Sequence, residues 1–133
     1  MRFLVDTNVW IVYLKNPDTT VRDRLQSTDP SEVAVCSIVR AELLHGACKY
    51  GDPDARREKI ERTIGIYRSF PFDDAASAAY ANIRHHLELR GELIGGNDLM
   101  IAAIAIANDL AVVTNNVGEF RRVPGLVVED WSA

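Results

Sequence analysis

Short, largely apolar runs of strand length alternate with longer stretches of helical period along this chain. No other feature restricts its fold as strongly. The runs are Phe3–Val5, Val33–Cys36, Ser69–Phe72, Leu110–Val113 and Leu126–Val128. A strand apolar at successive positions is buried on both faces, and strands separated by helices are joined by crossovers. The pattern predicts an α/β protein: a mostly parallel, five-stranded sheet with helices on both faces.

The helical stretches carry their own start and stop signals. Asn8–Leu14 reads as a first helix ended near Pro17, and Thr19–Gln26 as a short polar one with Val21 and Leu25 one turn apart. Ser37 is placed to cap a helix over Val39–Tyr50, with Gly51 to end it. Pro53 stands near the next helix start, whose apolar face is Ile60, Ile64 and Tyr67. Asp73 or Asp74 can cap a long helix with the stripe Ala75, Ala76, Ala79, Tyr80, Ile83 and Leu87, closed by Gly91. Gly95-Gly96-Asn97-Asp98 opens a helix whose continuation, Leu99–Ala107, is apolar all round and so belongs in the interior. At 133 residues the chain fits one domain spanning 1–133.

Composition narrows the function class. No apolar run approaches the roughly 18 residues of a membrane span, and the N-terminus lacks the pattern of a secretion signal. Two cysteines, Cys36 and Cys48, are too few for a disulfide scaffold, so free thiols and a cytoplasmic setting are expected. The net charge of −4 argues against a general nucleic-acid binder. That argument weakens if several acids converge and are neutralised by a metal ion.

Three acids are candidates for such convergence. Asp6 ends the first strand, Glu42 lies one turn into the helix after the second, and Asp98 heads the buried helix. Ligands of open α/β sheets gather at the carboxyl ends of strands, where the strand order reverses. Thr114-Asn115-Asn116 follows the fourth strand and brings Asn116 and Glu119 to the same edge. Crowded carboxylates raise a pKa or recruit a cation, and an all-oxygen donor set selects Mg²⁺ or Mn²⁺. Such an ion can polarise a phosphodiester and activate water. Each acid also has a plainer role: Asp6 as a turn residue, Asp98 as a partner of the helix dipole, Glu42 as a solvated helix residue. The histidines His45, His85 and His86 and the two cysteines have no zinc-site spacing, and no phosphate-binding P-loop is present. An aspartyl-phosphate mechanism would need a second acid where Asn8 stands. The basic stretch Arg56–Arg62, interrupted by Glu58 and Glu61, reads as a solvated face.

Taken together these segments resemble PIN-domain ribonucleases. Leu4-Val5-Asp6-Thr7-Asn8 is similar to the family's opening, Ser37–Leu43 with Gly46 to its second acid segment, and Asn97–Ala103 to its third. Val113–Asn116 with Glu119-Phe120 is similar to the fourth. The tail Val123-Pro124-Gly125-Leu126 with Glu129-Asp130-Trp131 resembles VapC toxins of bacterial toxin–antitoxin pairs. The resemblance implies a three-layer α/β/α fold and a Mg²⁺- or Mn²⁺-dependent endoribonuclease acting on tRNA or ribosomal RNA. It implies Asp6, Glu42 and Asp98 as metal ligands, with Thr7, Ser37 and Thr114 orienting acids or water. It further implies a homodimer restrained by a VapB-like antitoxin. Asn116 stands where many members carry a fourth acid; Glu119, one turn on, is the candidate substitute. Arg40, Arg121 and Arg122 are the candidate phosphate contacts at the rim. Two other functions are compatible with the same residues: a catalytically weak scaffold that binds RNA or antitoxin, and a housekeeping RNA-processing nuclease.

Overall fold

A computed structural model describes residues 2–16, 19–49 and 51–132. Its elements in chain order are β1 (Phe3–Val5), α1 (Thr7–Lys15), α2 (Thr20–Ser27), a 3₁₀ turn (Pro30–Glu32), β2 (Val33–Cys36) and α3 (Ser37–Ala47). They continue with α4 (Pro53–Ile64), β3 (Arg68–Phe70), α5 (Asp74–Leu89), α6 (Gly96–Ala107), β4 (Ala111–Val113), α7 (Val117–Phe120) and β5 (Val128–Glu129). The strands form one sheet in the order β3-β2-β1-β4-β5, and every pair is parallel.

Because the order runs outward from β1 to β3 and then jumps to β4, the chain reverses between β1 and β4. Right-handed crossovers then place α1–α4 on one face and α5 and α6 on the other, completing the three layers. Leu4, Val5, all of β2, Val112 and Val113 are sealed from solvent, as strands covered on both faces must be. On α6, Leu99 and the run 101–105 are buried, and α5 packs along this helix through Ala76, Ile83 and Leu87. Among the described residues no helix is long and apolar enough to cross a membrane.

Several boundaries differ from the sequence expectation, each for a local reason. The third strand ends at Phe70 because Pro71 has no N–H for a ladder. The fifth is shifted from Leu126–Val128 to Val128–Glu129: the chain turns at Gly125, at φ 76°, and the Leu126 amide is spent closing that turn on the Val123 carbonyl. Ser37 is the first helical residue of α3 rather than its cap, since β2 runs into the helix with Cys36 as the capping position. Helix α3 stops at Ala47, and the residues Pro17 and Tyr50 invoked as boundaries lie outside the described residues. Asp73, not Asp74, caps α5 by accepting from the Ala76 amide at 3.0 Å. Ala75 faces solvent, and Tyr67 lies beyond the end of α4.

The tail is bound into the core. Trp131 is 1% exposed, meets Phe3 of β1 edge-on at 5.3 Å, and donates its indole N–H to Glu129 at 3.2 Å. Arg24 of α2 covers the same ring at 5.1 Å and also bonds Glu129, at 3.3 Å.

Candidate active site

The switch point between β1 and β4 decides where the acids meet. Asp6 leaves β1 and caps α1 in one step: its Oδ1 accepts from the Thr7 amide at 2.7 Å. Its Oδ2 accepts from the Thr114 hydroxyl at 2.9 Å, and Thr114, the first residue after β4, is fully buried. The Thr114 hydroxyl in turn accepts from the Asn116 amide at 2.9 Å. Thr7 turns its own hydroxyl to Glu42 of α3, at 2.7 Å. On the other side of the crevice the Asn116 side-chain amide donates to Asp98 of α6 at 3.4 Å and to Glu119 of α7. The Asp98 and Glu119 carboxyls are close enough to shift one another, and the Gly95 amide adds to the positive surroundings of Glu119.

The five sequence-singled residues Asp6, Glu42, Asp98, Asn116 and Glu119 are thus gathered at one sheet edge, linked by two buried or half-buried hydroxyls. Their electrostatics record the crowding. Burial raises the Asp6 carboxyl despite the Thr114 and Thr7 hydrogen bonds, and the charges of Glu42 and Glu119 raise it further. Asp98 is pushed up to about 7, first by burial, then by the hydrogen bond with Glu119 and by the charges of Asp6, Glu119 and Glu42. Glu119 is held below its ordinary range by the bonds from Asp98 and Asn116, with help from Arg122. The two carboxyls therefore titrate as a pair that holds on to one proton more tightly than isolated carboxyls would. Close by, burial pushes the Cys36 thiol up to about 11, so it stays neutral.

All the donors are oxygens, which suits a hard divalent cation. Among the described residues no three of His, Cys, Asp and Glu already stand around a common point. The carboxylates are engaged by Thr7, Thr114 and Asn116. Asp6, Glu42 and Asp98 fit that role by chemistry and by their mutual electrostatic reach.

The shift on Asp98 has a consequence for stability. Its carboxyl binds a proton more tightly folded, at about 7, than at the unfolded value of 3.8. The stability this contributes is fully present below 3.8 and is lost as pH rises through about 7. Asp98→Asn is therefore expected to stabilise the ion-free protein at pH 8 by about 1 kcal/mol, a figure discounted for the half-exposed carboxyl. Urea unfolding of both proteins at pH 8 and pH 4 measures it. A variant less stable than the parent at pH 8 would contradict the assignment.

The rim departs from expectation. Arg40 is pinned by both oxygens of Glu61 of α4, at 3.0 and 3.1 Å, and is not a ready phosphate contact. Arg122 reaches the Glu92 and Leu93 carbonyls at 3.4 Å and so braces the loop before α6. Arg121 is exposed, near Asp130. Sequence reasoning missed the Arg40–Glu61 pair and the bracing role of Arg122. Beside Glu42 opens an apolar groove of about 140 Å³ between α1, α3 and α4, lined by Ile11, Leu14, Leu43, Ala47 and Ile60, with Lys15 and Arg56 at its margin.

Comparison with known proteins gives a consistent result. The PIN domain family matches residues 3–126. The chain is 33% identical over 132 residues to Ribonuclease VapC2 of Rickettsia felis, covering 98% of each protein. It is 36% identical over 132 residues to the tRNA(fMet)-specific endonuclease VapC of Shigella flexneri, covering 99% of each. Among solved structures, it superposes on a chain of the DNA-bound VapBC complex from Salmonella typhimurium with a TM-score of 0.93 at 35% identity, covering 98% of each chain.

Proposed function

Because the chain belongs to the PIN-domain family, we propose that it is a metal-dependent endoribonuclease toxin of the VapC kind, cutting structured RNA such as tRNA or rRNA in the cytoplasm. The observation that carries this is the convergence of Asp6, Glu42, Asp98 and Glu119 from four separate segments at the β1/β4 switch point. Asp6, Glu42 and Asp98 are the residues that would hold Mg²⁺ or Mn²⁺. When bound, such an ion polarises the phosphodiester, activates water and stabilises the leaving 3′-oxygen.

The chain's own residues supply the rest. Thr7 and Thr114 fix the carboxylates of Glu42 and Asp6 in orientation. Glu119, held below its ordinary range, is the acceptor for a proton from the attacking water. Arg121, exposed at the rim, meets a substrate phosphate. The groove beside Glu42 suits an amphipathic segment whose apolar side fills it and whose basic side chain reaches the acids. That is the chemistry of a VapB-like antitoxin, and the structural relatives named VapBC are complexes with such a partner. A homodimer is part of the same proposal.

Incubating the purified chain with total RNA and Mn²⁺ is expected to yield discrete fragments. EDTA should stop the cleavage, and added Mn²⁺ should restore it. Fragmentation that persists in EDTA would remove the metal from the proposal. Asn116, where a fourth acid is common in the family, favours one second reading, a weak scaffold that binds RNA or antitoxin without efficient cleavage. RNA retarded in a gel but left intact with Mn²⁺ would favour it.

A further inference from the structure

We propose that the Asn116 side-chain amide occupies the place a second cation would take, so that this site holds a single divalent ion. The inference rests on the proposed nuclease function and concerns a positioning residue rather than a catalytic one.

A primary amide nitrogen carries two N–H donors. In Asn116 one reaches Asp98 Oδ2 at 3.4 Å and the other Glu119 Oε2. The amide's orientation follows from its neighbours: turned over, it would set its own oxygen against two carboxyl groups. Its backbone is fixed from the buried side as well. The Asn116 N–H donates to Thr114 Oγ1 at 2.9 Å, and that hydroxyl donates to Asp6 Oδ2 at 2.9 Å. The residue is therefore held by its main chain to one end of the acid cluster and by its side chain to the other.

The Asp98 and Glu119 carboxyl groups together still carry negative charge, and positive character beside both is favourable. The Asn116 amide supplies it as a dipole, with no net charge and no metal. A carboxylate at the same position would set a third acid against Asp98 and Glu119, and a hard cation is the group that resolves such a cluster. The remaining acids, Asp6 and Glu42, are oriented by Thr114 and Thr7, not by Asn116's side chain. They stay available, with Asp98, for one ion.

The test is the number of ions bound, measured without RNA. Calorimetric titration of the metal-stripped protein with Mn²⁺ is expected to show one ion for the wild type and two for Asn116→Asp. Two ions in the wild type, or one in the variant, would overturn the inference while leaving the nuclease proposal standing. No binding by the wild type would overturn both. Should the variant not fold, electron paramagnetic resonance of the Mn²⁺-saturated wild type decides. The hyperfine pattern of an isolated ion supports a single site, and a spin-coupled spectrum overturns it.

Discussion

Asp6→Asn is expected to reduce RNA cleavage by about 10³-fold, the scale of losing a group that stabilises charge in a transition state, while the protein stays folded. The two halves of that expectation have separate physical grounds. Asn keeps the oxygen that accepts from the Thr7 amide, so the cap of α1 survives. Its NH₂ replaces the oxygen that faced the Thr114 hydroxyl, and that hydroxyl can rotate to accept. A buried carboxyl raised by desolvation is moreover a group the fold does not gain from ionising. What the substitution removes is charge at the one acid attached to β1, β4 and α1 at once. Cleavage of total RNA in Mn²⁺, with circular dichroism of the same samples, measures both quantities. Unaltered cleavage would sink the site assignment, and lost cleavage with lost ellipticity would make Asp6 a structural residue instead.

Trp131→Ala is expected to cost about 3–5 kcal/mol, the usual range for removing a buried Trp or Phe. Domains of this size are stable by only about 5–15 kcal/mol, so a fall in melting temperature of about 10–20 °C is expected. The indole is sealed against Phe3, its N–H bonds Glu129, and Arg24 lies over its face. Truncation therefore opens a cavity beside β1 and frees both charged partners. Trp131→Phe should recover much of the loss, because the ring contact with Phe3 can persist without the hydrogen bond. Thermal unfolding distinguishes these variants. A shift of only a degree or two for Trp131→Ala would show the tail to be a surface appendage.

What the sequence disclosed, and what it withheld, divides along physical lines. β2 and β4 were readable because strands covered on both faces must be apolar throughout, and α6 because a helix apolar all round must be central. β5 was misplaced by two residues because Val127, apolar by type, is 60% exposed in the approach to the strand. Asp6, Glu42 and Asp98 could be placed at one edge from topology alone, since each sits at a strand end or in a first helical turns' reach of it. The Asp98–Glu119 pair could not: it depends on the short α7 folding back toward α6. Nor could the loss of Arg40 to Glu61, because the chain between α3 and α4 determines how those helices face each other, and its sequence carries no angle.

The strand order has a consequence for how the protein is made. β1 is made long before its inner neighbour β4, although the two pair directly, Phe3 with Ala111. A chain still attached to the ribosome can fold β1, β2 and β3 side by side, but Asp6 then lacks Thr114, and Asp98 lacks Glu119. The four acids share one edge only after α7 has emerged. In a chain of this topology the acid edge is therefore completed by the segment that follows β4, not by the three strands that can pair first.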